Sequence, residues 1–255
     1  PSYAHTDALP IKEGSMIIND EERFFYISKD ALYALVYNKK DRHAQNLSVL
    51  KIDEKTGGIA HSVMLDFDKM KPLYSDLKVL EDGRVLVFTH VKADDGSKYL
   101  YLMESKDNGK SFSKSAILNS KRDVLNPFAV AQAGSNIYAV WIDERIPKEF
   151  GLYLNYSNDS GVTFKEQDIF LTEGFDSAFL PTLISEGNDV HLFFSGASKD
   201  KPVGIYYRYS NNRGHKWSDA VNVTKYEATW QPAAMKIIRA KDGKLMVFWY
   251  GRGIY

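Results

Sequence analysis

The sequence predicts an all-β fold made of a repeated antiparallel unit, and three observations carry that prediction. First, the segment Ser-Asn-Asp-Ser-Gly-Val-Thr-Phe at 157–164 recurs as Ser-Lys-Asp-Asn-Gly-Lys-Ser-Phe at 105–112 and as Ser-Asn-Asn-Arg-Gly-His-Lys-Trp at 210–217. The copies start 52 and then 53 residues apart, a period that belongs to an architecture and not to one site. Second, short apolar runs return with the same period at Leu32–Tyr37, Val85–Val91, Ile137–Ile142, Val190–Phe194 and Leu245–Tyr250. Third, turn signals precede four of these runs, such as Glu81-Asp82-Gly83 and Lys241-Asp242-Gly243.

Taken in order, residues 1–14 carry little periodic signal and read as an N-terminal arm or closing segment, and 15–255 form the repeat domain. Each repeat opens on an inner strand, entered at Pro72, Pro127, Pro181 and Pro232, where the first residue of a strand need not donate to the ladder. The second strand is the apolar run. Its consecutive hydrophobic residues suit a strand covered on both faces. Third strands follow at Leu47–Ile52, Tyr99–Glu104, Leu152–Tyr156 and Ile205–Tyr209, and short fourth strands near Ala116–Leu118, Ile169–Leu171 and Ala220–Val223. The first repeat replaces the eight-residue unit by Asp53-Glu54-Lys55-Thr56-Gly57-Gly58. The count is four complete repeats and two strands of a fifth.

The eight-residue unit reads as a tight turn. Asp107, Asp159 and Asn212 can accept hydrogen bonds from backbone N–H groups a residue or two ahead, and Gly109, Gly161 and Gly214 supply positive φ. Ser105, Ser157 and Ser210 open the unit, and Phe112, Phe164 and Trp217 fold back into an apolar layer. The pattern resembles the Asp-box, or BNR repeat, of sialidase-like β-propellers. That resemblance implies a propeller of four-stranded antiparallel blades, with the boxes at the blade periphery as turn fasteners and not as catalytic acids. Two ring sizes fit: five blades, with Ser15–Asn19 supplying a missing outer strand of the last, or part of a six-bladed ring.

Composition excludes several function classes. Lys plus Arg and Asp plus Glu are 33 each, so no bulk charge draws the chain to nucleic acid. There is no cysteine, which removes disulfides, thiolate metal sites and thiol catalysis. No apolar run reaches transmembrane length, so no membrane insertion is expected. No spacing specifies a metal site or a cofactor, and six scattered histidines form no metal pair. The start at Pro1 carries no export signal, and absence of an initial Met suggests a processed or trimmed part of a larger exported chain. An extracellular, periplasmic or cell-surface location is expected.

Function in such a fold is expected at the end built by the entry loops and the loops between second and third strands. The latter are charged, as in Asp143-Glu144-Arg145, and the former aromatic, with Tyr74, Phe128, Phe175, Phe179 and Trp230. Arg42, Tyr74, Phe128, Arg145, Trp230 and Arg252 are the ligand-binding candidates, since aromatic faces and guanidinium groups suit a glycan or a protein partner. The resemblance implies that a working sialidase would hold its substrate carboxylate with three arginines and carry an Arg-Ile-Pro motif before the first box. Here Arg145-Ile146-Pro147 lies after the first box. Asp143 and Glu144, adjacent on an extended strand, point to opposite faces. The expectation is therefore a non-catalytic binding or interaction domain, not an enzyme, with an exo-sialidase-like glycoside hydrolase as the alternative.

Overall fold

The repeated runs pair through their backbones into five antiparallel sheets among the described residues of the computed structural model, which are 14–18, 23–28, 31–39, 45–53, 55–120, 124–146, 149–224 and 234–250. The first sheet has the order β1 (Gly14–Ile18), β2 (Arg23–Ser28), β3 (Ala31–Lys39), β4 (Gln45–Ile52), β5 (Ile59–Met64). The second holds β6 (Lys71–Val79), β7 (Val85–Lys92), β8 (Lys98–Ser105) and β9 (Ser113–Ile117). The third holds β10 (Val124–Ala133), β11 (Asn136–Asp143), β12 (Gly151–Ser157) and β13 (Ile169–Phe170). The fourth holds β14 (Ser177–Glu186), β15 (Asp189–Ser198), β16 (Lys201–Ser210) and β17 (Val221–Asn222), and β18 (Ala234–Arg239) pairs with β19 (Leu245–Tyr250) as the fifth. Each sheet of four or five strands is a meander resembling a propeller blade. No helix of the described residues is long and apolar enough to cross a membrane.

The chain divides into two compact units, residues 1–91 with 102–114, and residues 92–101 with 115–255; the second sheet supplies strands to both. In the first unit, β2 and β4 pack against β6, and Tyr33, Leu35, Tyr37, Leu47, Val49 and Leu77 are buried. In the second, inner strand β10 packs on inner strand β14, and the third and fourth sheets close over one core that includes Tyr138, Val140, Ile142, Leu154, Leu192 and Phe194. Each large apolar side chain withdrawn from water there contributes about 1.5–3 kcal/mol. Ile237 of β18 joins Phe193 and Ile205 on the far face of the fourth sheet. Both faces of β15 are thus covered, which explains its consecutive apolar residues Leu192, Phe193 and Phe194.

Two sequence expectations are corrected here. Segment 15–19 does not join the last sheet: β1 pairs with β2, from Gly14↔Ile27 to Ile18↔Arg23, because the neighbouring strand in sequence offers the shortest hairpin. Pro127 and Pro181 do not mark strand entries but sit inside β10 and β14, where the register shifts between Leu125 and Phe128 and between Phe179 and Thr182. A bulge spares the missing proline N–H from the ladder. The second bulge holds Leu180 at φ 52, a left-handed backbone that a leucine adopts only under constraint. Pro232 lies outside the described residues.

The boxes share one hydrogen-bond skeleton. Ser105, Ser157 and Ser210 hydroxyls donate to Asp107, Asp159 and Asn212 Oδ1 at 2.8, 2.6 and 2.9 Å. The same oxygens accept the Gly109, Gly161 and Gly214 N–H at 2.8, 2.8 and 2.9 Å. Each carboxylate or amide oxygen also takes a backbone N–H four residues ahead, on Ser111, Thr163 and Lys216, a longer reach than expected from the sequence. Asn108, Ser160 and Arg213 share the left-handed region with the following glycine. In the second unit the N–H of Ser160 donates to Ser135 O and that of Arg213 to Asn188 O, which ties each box to the first hairpin turn of its own sheet. Phe112, Phe164 and Trp217 are half-buried.

Box glycines also lie on tyrosines of the preceding sheet. A Cβ on Gly109 would stand 2.8 Å from Tyr33 Cε1, and one on Gly214 3.3 Å from Tyr138 Cε1. Tyr33 donates its hydroxyl to Asn108 Oδ1 at 2.7 Å, and burial pushes that hydroxyl up to about 12. Gly109→Ala should therefore cost more than Gly83→Ala, where φ is also positive but the space is open. The backbone alone sets the Gly83 cost at about 1 kcal/mol, and the ring contact should roughly double it at Gly109; urea unfolding of both variants checks this.

A second expectation concerns acid. Partial burial opposes ionisation of Asp159, but hydrogen bonds from the Ser157 and Thr163 hydroxyls and the Thr163 N–H outweigh it and bring the carboxyl down to about 2. The folded value is depressed, so this group's contribution is present above the ordinary aspartate value of about 3.9 and is lost as pH falls toward about 2. Asp159→Asn should keep the turn, as Asn212 does in its box, and flatten the pH dependence of stability in that window. Asp159→Ala should lose both, in thermal melts across the acid range.

Candidate active site

Along β11, Ser157 is opposite Ile137 at one end and Gly151 opposite Asp143 at the other, so six residues, or roughly 20 Å, separate the box from the loop after Asp143. Chemistry, if grouped at this far end, is clear of the boxes. Alternation places Trp141 and Asp143 on one face of β11 and Tyr153 and Asn155 on the matching face of β12. Arg145 folds back over that face. Its Nη2 meets Asp143 Oδ2 at 2.5 Å and Asp168 Oδ2 at 2.8 Å, and its Nη1 donates to Ser120 Oγ at 3.3 Å. The guanidinium lies 3.8 Å from the Tyr153 ring centroid.

Both carboxylates are sealed, with side-chain exposures of 0%, against 16% for Arg145. Their lone pairs are well used: Asp168 Oδ2 also accepts the Ser120 N–H at 3.0 Å and its hydroxyl at 2.6 Å, and Asp143 Oδ1 accepts the Arg145 N–H at 2.8 Å. Burial alone would lower the Arg145 pKa, but the bonds to Asp143 and Asp168 raise it, so the guanidinium stays charged. The Tyr153 hydroxyl is raised first by burial; Arg145 pulls it down, and Asp143, Glu149 and Asp168 push it up. Glu149 is thus within electrostatic reach of the cluster.

With Arg145 locked, the loop to β12 is held against the entry of β14. Phe150 N–H donates to Asp176 O at 3.2 Å, Ala178 N–H donates to Phe150 O at 2.7 Å, and Phe150 and Ser177 form a parallel bridge. The Phe150 and Phe179 rings pair at 5.1 Å between centroids. Glu149 and Asp176 directly precede the bridged pair, so their backbones are about one strand spacing, ~4.8 Å, apart. Asp176 Oδ2 accepts the Lys199 N–H at 3.0 Å. Asp176 is exposed and Glu149 half-buried. Two carboxylates on neighbouring backbones can donate and accept protons around a bound sugar.

Of the sequence candidates, Arg145 is the hub of the buried cluster, and Phe128 is buried in β10 beyond its bulge. Tyr74 is half-buried on β6 in the first unit; burial, then Asp76, pushes its hydroxyl up to about 12. Arg42, Trp230 and Arg252 lie outside the described residues. Asp143 is buried and Glu144 exposed, the opposed facing expected of adjacent strand residues. Glu149 and Asp176 were missed, since only a bridge between segments 27 residues apart joins them. Among the described residues no group of three or more His, Cys, Asp or Glu could hold a metal ion.

Removing the guanidinium would leave two carboxylates sealed without a counter-charge. Arg145→Ala should cost roughly 3–5 kcal/mol of stability, as for other broken buried ion pairs. The triple change Arg145→Met, Asp143→Asn, Asp168→Asn, which removes the charges together, should recover part of it. Denaturant unfolding at neutral pH checks both.

No family model matches this chain, and no curated protein matches it. Solved structures do. Polysaccharide lyase Uly1 has a TM-score of 0.59 at 11% identity, over 91% of this chain and 55% of that one. An α-L-arabinofuranosidase from Fusarium graminearum has 0.55 at 15% identity, over 70% and 56%. A Hadza microbial sialidase has 0.53 at 12% identity, over 81% and 44%. The chain spans about half the length of these structures. The likeness establishes an all-β, propeller-type sheet arrangement found among carbohydrate-active enzymes. It also corrects the expected non-catalytic binding domain and the leaning against an enzyme: all three structures carry the names of glycan-cleaving enzymes, and the arginine pattern weighed in the sequence bears on one substrate only.

Proposed function

We propose that the chain is a glycan-cleaving enzyme of the glycoside hydrolase type, with Glu149 and Asp176 as its acid–base pair. What supports this most is the Phe150–Ser177 bridge, which sets these two carboxylates on adjacent backbones. Asp176, held by the Lys199 N–H, takes the role of base or nucleophile. Glu149 serves as the proton donor to the leaving oxygen. Side chains rising from backbones ~4.8 Å apart can span either carboxyl separation, about 5–5.5 Å for retention or about 6.5–9.5 Å for inversion. As a finer reading, the three hydrogen-bonded boxes support kinship with Asp-box propellers.

The test is hydrolysis of aryl glycosides, including an α-L-arabinofuranoside, a β-galactoside and a sialoside, and of plant and algal polysaccharides. Glu149→Gln and Asp176→Asn should each lower kcat/KM by at least about 100-fold with an unchanged melting temperature. No turnover of any glycan, or full rates in both variants, overturns the proposal.

A further inference from the structure

The charges around this site decide which sugars it can take. We infer that it accepts neutral glycan chains and cleaves them by hydrolysis, and that it rejects sialic-acid and uronate chains; this rests on the enzymatic reading above. An acidic sugar is held by guanidinium groups free to face it. Arg145 is not free, since Nη2 bridges Asp143 and Asp168 and Nη1 reaches Ser120. A ligand carboxylate could capture it only by stranding an aspartate with no exposure. The other described arginines of the second unit are also engaged. Arg208 donates to Leu171 O and Ser218 O, Arg213 to Asn188 Oδ1, and Arg239 pairs with Glu186.

The surrounding charge points the same way. Segments 143–150 and 168–177 carry Asp143, Glu144, Glu149, Asp168, Glu173 and Asp176, six carboxylates, against Arg145 and Lys148. Of the cations nearby, Lys201 donates to Gly174 O at 2.8 Å and lies 4.8 Å from the Phe175 ring centroid. The Lys199 backbone N–H is what meets Asp176. A field of that sign repels a sugar carboxylate and leaves a neutral ring unaffected.

The same charge selects the reaction. Elimination from a uronate removes the proton beside the sugar carboxylate, and that step needs the carboxylate neutralised, which these groups do not provide. Hydrolysis needs no such neutralisation. The bond from the anomeric carbon to the leaving oxygen breaks as Glu149 gives that oxygen a proton. Water supplies the new oxygen at the anomeric carbon, and its proton goes to Asp176.

The experiment incubates the whole chain separately with arabinan, galactan, polygalacturonate and sialyllactose. Cleavage is read as reducing ends, unsaturated-product absorbance and free sialic acid, and binding of the two neutral and one acidic polymer by affinity electrophoresis. Neutral polymers should be bound and hydrolysed at least tenfold better than acidic ones, with the gap narrowing as salt is raised to about 0.5 M. The double change Glu144→Gln, Glu173→Gln should leave neutral turnover unchanged and raise binding of polygalacturonate severalfold. Preferred cleavage of an acidic substrate overturns the inference and keeps the enzymatic reading. Binding of neutral polymer without cleavage by any route keeps the substrate class and overturns the enzyme. Neither binding nor cleavage of any of the four overturns both.

Discussion

One buried hydroxyl in each box, on Ser105, Ser157 and Ser210, organises the repeat. Each donates to an aspartate or asparagine two residues on and accepts from a glycine N–H four residues on, with an exposure of 1%. A hydroxyl can do both at once, while neither a methyl nor a carbonyl can. That double use draws two consecutive left-handed residues into the turn and, in the Ser157 and Ser210 boxes, delivers a backbone N–H to the first hairpin of the same sheet. The third strand is therefore fastened to the first pair, and a four-stranded meander becomes a rigid unit whose apolar faces can be stacked.

Rigidity at the box end leaves the far end free to vary. The loop from β11 to β12 illustrates how such freedom is used and then curtailed. Asp143, Asp168 and Arg145 would each be costly to bury alone, and together they convert a charged loop into a fixed anchor. The anchor is asymmetric, since two carboxylates meet one guanidinium. Its surplus negative charge is compatible with the protein only because hydrogen bonds from Ser120, Trp141 and Asn155 share it.

The architecture was legible in the sequence because its causes are local or periodic. A glycine four residues after a serine, or a run such as Val85–Val91, states its own backbone geometry and burial. The boundaries of the inner strands were less legible: Pro127 and Pro181 read as entries because a proline cannot donate to a ladder, yet a bulge satisfies the same restriction inside a strand. The candidate site was least legible. Arg145 stands out in a charged loop, but its partner Asp168 is 23 residues on, in a stretch without signal. The Glu149–Asp176 juxtaposition comes from one bridge between segments that share no motif.

The same distinction explains why the fold and the function were unequally visible. Boxes repeat because every sheet needs the same fastening, so their number measures the architecture and says nothing of substrate. A site need occur once; the candidate one brings together the loop that leaves β11, the entry of β14 and the turn holding Lys199. The left-handed Leu180 follows directly on Phe179, whose ring faces Phe150, so the strained residue and the aromatic pair belong to one local arrangement. Strain of this kind persists where surrounding contacts over-determine the backbone. Here one such contact is the parallel bridge, and the buried ion cluster, with both carboxylates sealed, anchors the loop that leads to it.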